Sequence, residues 1–120
     1  MSNTHIEDGY PLFDLRVEVA APGAGLPFIC KHVEGDYFTV TDDDLITFGP
    51  GVQFPMFSLA AILPLLAAKQ RELHPNDWMG LDAVIACPDP HCGGRFKITR
   101  EARVLHSLAE NSAIGRRAGQ

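Results

Sequence analysis

Cys87 and Cys92 stand in the stretch CPDPHCGG (87–94), separated by Pro88, Asp89, Pro90 and His91. Thiolates this close in sequence can share a zinc ion. A tetrahedral site needs four ligands. Cys30 and His32, in FICKHVEGD (28–36), form a second short cluster. A set of Cys30, His32, Cys87 and Cys92 can therefore be drawn, with His91 as a substitute ligand. Zinc-binding sequences usually carry two tight pairs, and here the first is Cys-x-His. The competing reading of 87–94 is a hairpin turn. Pro88 and Pro90 fix the backbone, Asp89 can form an Asx turn, and Gly93 and Gly94 can supply positive-φ positions. On spacing alone the turn is preferred to the zinc site.

The segment around Cys30 joins a thiol, an ammonium and an imidazole. His32 titrates near neutral pH and is the natural acid or base. Lys31 beside it can lower a thiol pKa or hold a carboxylate. The plainer alternative makes Cys30 a small buried residue and His32 a surface residue before a turn, and spacing favours it. Trp78, the only tryptophan, lies in HPNDWMGLD (74–82). It reads as an anchor against the core ahead of a wall for an aromatic ligand. Tyr37, Phe48, Phe54 and Phe57 come from other loops and strand ends and can share an apolar pocket. No phosphate-binding glycine loop, nucleophile elbow, HExxH or dinucleotide fingerprint is present. Nucleotide cofactors and metalloprotease chemistry have no support.

These residues must be positioned by a small fold. FDLRVEVA (13–20) alternates, with Phe13, Leu15, Val17 and Val19 on one face. HVEGDYFTV (32–40) carries a Gly-Asp turn into a strand, and LITF (45–48) can pair next after TDDD. Residues 58–72 form the main helix, with Ser58 as N-cap and Leu59, Ile62, Leu63 and Leu66 on one face. Pro64 either kinks that helix or lies in the first turn of one that starts later. LDAVIACP (81–88) and RFKITR (95–100) read as a strand hairpin. The expected architecture is α+β: a small antiparallel sheet of about five strands with one main helix across it. Residues 1–11 are expected to be a disordered arm and 12–102 a single domain. Residues 103–120 are expected to form a short helix and a flexible tail, the helix falling within ARVLHSLAEN after Glu101.

A chain of 120 residues with a net charge of −5 is one mildly acidic domain, without the basic stripe that nucleic-acid binding needs. Its longest apolar stretch is shorter than the ~18 residues of a membrane span and contains two prolines. The polar start is not a signal peptide, so a cytoplasmic location is expected. There the three cysteines would be reduced thiols or metal ligands. A domain this small buries only about two-thirds of its unfolded surface, so assembly as a homo-oligomer would help it.

Four stretches, CKHVEGDYFTV, FSLAAILPLLAAKQ, HPNDWM and VIACPDPHCGGRFKITR, carry a resemblance. Over most of residues 13–100 they resemble a family of small bacterial and archaeal proteins of unassigned function. Its pattern is Cys-x-x-His followed by Gly-Asp, a helix with an internal proline, Asn-Asp-Trp and Ala-Cys-Pro-Asp-Pro. This chain departs from it at the helix start. The family commonly has Cys-Pro-aromatic there, and here Pro55-Met56-Phe57 stand without a cysteine. Some relatives are similar to decarboxylases of lignin-derived phenylcoumaran-type aromatic acids. That resemblance implies a cofactor-independent carboxy-lyase acting on a small aromatic carboxylate. It would need a base, a cation for the carboxylate and an apolar cavity. His32 would be the acid or base, Lys31 or Arg95 would orient the carboxylate, and Tyr37, Phe54, Phe57 and Trp78 would line the pocket. The alternative is a zinc-binding or non-catalytic ligand-binding domain.

Overall fold

In a computed structural model, residues 7–81 and 83–112 are described, and the fold is α+β. Eleven residues, Gly9–Val19, form β1. Tyr37–Thr41 is β2, Leu45–Phe48 is β3, and Met56–Gln70 is α1. A 3-10 turn at Trp78–Gly80 leads to β4, Ala83–Ala86, and then to β5, Arg95–Ser107, and the short α2, Leu108–Asn111. The strands make one antiparallel sheet of five in the order β3-β2-β1-β5-β4.

The expected alternation holds along β1. Leu15, Val17 and Val19 are buried together with Phe38, Val40, Phe96 and Ile98, and α1 adds Ile62 and Leu66. Burying one such side chain contributes about 1.5–3 kcal/mol, so this apolar face is the main stabilising feature of the domain. The register of β1 against β5 shifts between Phe13 and Leu15, where the partners step from Arg103 to Arg100. The extra residue in β5 is a bulge, which breaks the simple alternation. Leu12 on the far side of it is buried, and Phe13 is only half-buried.

Three expectations at the ends of elements are corrected. The segment ARVLHS is strand, since β5 runs to Ser107 and only Leu108–Asn111 is helical. It pairs with residues 9–13 of β1, two of which, Tyr10 and Pro11, meet His106 and Leu105 in what was expected to be a disordered arm. Residues 1–6 lie outside the described residues. The main helix begins at Met56 and is capped by Pro55, so Ser58 is inside its first turn and buried. The helix runs through Pro64, which forgoes one backbone bond. Leu63 is turned to solvent, and the buried stripe is Ser58, Ile62, Leu66, Lys69 and Gln70. The Lys69 ammonium donates to the Leu81 carbonyl, which keeps this buried cation hydrogen-bonded.

The loop between β1 and β2 crosses the turn between β4 and β5. Ala20 N–H donates to Arg95 O at 2.9 Å, Gly23 N–H to Gly93 O at 2.8 Å, and Gly93 N–H to Pro27 O at 2.7 Å. A Cβ on Gly93 would lie 2.1 Å from the Leu26 carbonyl oxygen. No L side chain fits there, because the obstacle is backbone. Neither Gly93 nor Gly94 has a positive φ; among the described residues the positive-φ glycines are Gly25, Gly35 and Gly51. The expected turn geometry at 93–94 is thus replaced by close packing. Gly93→Ala should destabilise the protein by about 3 kcal/mol, the upper part of the range for over-packed sites, read as a fall in the denaturant midpoint. A midpoint equal to wild type would remove this contact as a constraint.

Candidate metal centre

The crossing brings two separated segments together. Cys30 and His32 ride on the loop after β1, and Cys87 and Cys92 open and close the turn after β4. One ligand atom from each of Cys30, His32, Cys87 and Cys92 lies within 4.8 Å of every other. These four residues are close enough to hold a metal ion. The turn reading of 87–94 also holds. Cys87 N–H donates to Gly94 O, Cys92 N–H to Asp89 O, and His91 N–H to Asp89 Oδ1 at 2.9 Å. Turn and site are the same feature, because the turn is what presents both sulfurs. His91 is exposed and is not among the four residues of the cluster.

The sulfurs differ in their surroundings. Cys92 Sγ accepts backbone N–H groups from Ile29 at 3.3 Å, Cys30 at 3.5 Å and Gly94 at 3.3 Å. Burial pushes this thiol up, but those three donors outweigh it and bring it down to about 7. Cys30 Sγ lies 3.6 Å from Cys87 Sγ. That sulfur contact and burial push Cys30 up to about 12. Of these two thiols, the surroundings favour the thiolate form of Cys92.

His32 is 7% exposed and is ringed by Phe28, Phe54 and Phe96, with centroids 5.7, 6.4 and 5.0 Å away. Burial pushes its pKa down and holds it toward the neutral imidazole, the form that binds metals. Its Nδ1 is buried with no hydrogen-bond partner. Ser58 Oγ lies 3.4 Å from His32 Nε2 and 3.8 Å from Cys87 Sγ. A Cβ on Gly94 would come within 2.9 Å of His32 Nε2 and Cys87 Cβ, so the residue just before β5 must be glycine for the ring and the thiol to meet. The reading of His32 as a surface residue before a turn is corrected by its burial.

Of the other sequence-selected residues, Lys31 and Phe54 share one cavity and the rest are dispersed. Lys31 is exposed and lines a cavity of about 220 Å³ with Gln53, Phe54 and Pro55. Phe54 belongs to the core, packed against Phe38, Phe48 and Phe96. Tyr37 lies under the Arg16 guanidinium, 3.9 Å from the ring centroid. Arg95 donates to Gly94 O and fills the space beside Gly23. Trp78 is 59% exposed in the 3-10 turn, which corrects its reading as a core anchor. Phe57 is 74% exposed. It borders a second cavity of about 410 Å³, lined also by Cys30, Cys87, Ser58, Pro55, Pro88 and Asp89. Tyr37, Trp78 and Arg95 line neither of these cavities.

Ser58 is the site residue that the sequence reading missed. It was assigned to helix capping, and the one signal available was a small hydroxyl residue in an apolar segment. The helix start supplies no thiol, and the four residues of the cluster come together without one. No helix among the described residues is long and apolar enough to cross a membrane. No family model, curated protein or solved structure matches the chain.

Metal uptake should depend on pH with a definite sign. A metal binds thiolates, so each thiol proton still present must leave. Cys92, brought to about 7, is mostly thiolate at a pH of about 8 and mostly protonated at about 6. Uptake at the lower pH should therefore be weaker and release close to one additional proton per chain, measured with an indicator dye during titration with zinc. Equal proton release at both values would contradict this account of Cys92.

Proposed function

We propose that the protein is a zinc-binding domain, with one ion held by Cys30, His32, Cys87 and Cys92. The observation that carries this reading is the convergence of four ligand atoms, from two segments far apart in sequence, within 4.8 Å. Three cysteines and one histidine form a common structural zinc set. Two sulfurs on a tetrahedral zinc lie about 3.8 Å apart, as follows from a Zn–S distance of about 2.3 Å. The 3.6 Å between Cys30 and Cys87 is close to that spacing. A cluster this tight suits a single ion rather than an iron–sulfur cluster, whose thiolates bind separate irons.

The surroundings support the same reading. The Nε2 edge of the His32 ring faces Ser58 and Cys87, where a neutral imidazole can offer a lone pair beside the sulfurs. The Ser58 hydroxyl can donate to Cys87 Sγ. Such outer partners orient ligands. The three N–H groups on Cys92 stabilise a thiolate before any ion arrives. On this reading His32 is a ligand, and the metal joins the β1–β2 loop to the β4–β5 turn.

Elemental analysis of the purified protein should find about one zinc per chain, and Cys92→Ser or His32→Ala should lower that content. Chelation should lower the Tm by roughly 10 °C or more. Zinc at about a thousand times its Kd contributes about 4 kcal/mol, and about 1 kcal/mol moves a domain of this size by roughly 4 °C. A protein that stays metal-free and melts at one temperature with or without added zinc would defeat the proposal. Ser58→Ala should retain the fold yet bind zinc about tenfold more weakly, the low end for an outer partner, in a competition titration against a chromogenic chelator.

A further inference from the structure

The cavity bordering the centre has a charge pattern of its own. Its volume of about 410 Å³ suits a small molecule. Cys30, Cys87 and Ser58 belong to the centre, Pro55, Phe57 and Pro88 are apolar, and among the described residues Asp89 is the one charged lining residue outside the centre. Zinc with three thiolates carries a net charge of one negative unit, two positive against three negative. Cys92, whose charge is offset by three N–H groups, does not line the cavity. The two sulfurs that do are Cys30 and Cys87. Asp89 adds a carboxylate, of which Oδ1 accepts His91 N–H and the second oxygen remains a further acceptor. Among the described residues no lysine or arginine lines this cavity. Lys31 lines the separate one that shares Pro55 with it.

We propose that this cavity binds a hydrophobic cation, an alkyl- or arylamine in its ammonium form. The proposal rests on the zinc reading, because the bound thiolates supply much of the negative charge. The ammonium would donate to Asp89 and to the cavity-lining sulfurs. The exposed Phe57 ring would offer its π-face, and the ligand's apolar body would cover Pro55 and Pro88. The same charges disfavour a carboxylate in this cavity, because like charges brought together out of water repel strongly.

The test uses the full chain loaded with zinc, with metal content measured on the same sample. Phenethylamine, phenylpropionate and phenethyl alcohol, alike in size and different in charge, are titrated by NMR at neutral pH. The amine should bind about tenfold or more tighter than the carboxylate, with the alcohol between them. Asp89→Asn should keep its zinc, since the amide oxygen can still accept His91 N–H, and should cut the amine-to-carboxylate ratio by at least about threefold. Phe57→Ala, at an exposed position, should weaken the amine and the alcohol together. Zinc-loaded protein that binds none of the three, binds amine and carboxylate equally, or keeps its ratio in Asp89→Asn overturns the ligand assignment and leaves the zinc reading standing. A chain that takes up no zinc overturns both, and the metal assay distinguishes the two failures.

Discussion

Two backbones meet at Gly93 more closely than any side chain would allow, and the rest of the molecule is arranged around that meeting. The Leu26 carbonyl occupies the place of a Cβ, and Gly93 hydrogen-bonds through both its N–H and its carbonyl to the loop after β1. The loop is otherwise irregular, with no strand of its own to hold it. Tied to the start of β5, it inherits the rigidity of the sheet centre, where Phe96, Ile98, Val17 and Val19 are packed out of water. Cys30 and His32 are thereby carried to Cys87 and Cys92. A site of four side chains depends on Gly93 for the crossing and on Gly94 for the room that the ring and the thiol need.

Within the centre the electrostatics are uneven by construction. Oriented backbone N–H groups converge on Cys92, as they would on any anion held at a tight turn. Cys30 has the opposite environment, with a neighbouring sulfur and an apolar surround that favour the protonated thiol. A buried histidine with an unpartnered Nδ1 would be a costly arrangement in a core with no further role. A divalent cation held by the four residues would replace the thiol protons, accept an imidazole lone pair and let the sulfurs approach. The first turn of α1 contributes through Ser58, which bridges ring and thiol from a position fixed by helix packing.

The fold class was legible because its signals are local. The two-residue period of β1, the apolar segment of α1 and the β4–β5 hairpin each appear within a few residues. The errors came where pairing is long-range. Residues 9–11 and 103–107 have little character separately, and both become strand because each supplies the other's hydrogen-bond partners. The bulge at Phe13 likewise follows from register between distant segments, so Leu12 could not be recognised as buried from alternation alone.

The sequence by itself determined the residue types of the centre and the two short clusters in which they sit. It also determined the rigid proline- and glycine-bearing turn and the helix with its internal proline. It could not determine whether the clusters meet, because they are separated by β2, β3, α1 and β4, and spacing carries no information about a contact closed through a sheet. The tertiary structure decided that, through the crossing at Gly93. It also moved Ser58 from cap to bridge, sent Trp78 outward and drew Phe54 into the core. Turn and metal centre are alternatives only when 87–94 is read alone. Once the loop after β1 is packed against it, the turn holds its two sulfurs within 4.8 Å of each other and of the ligand atoms of Cys30 and His32.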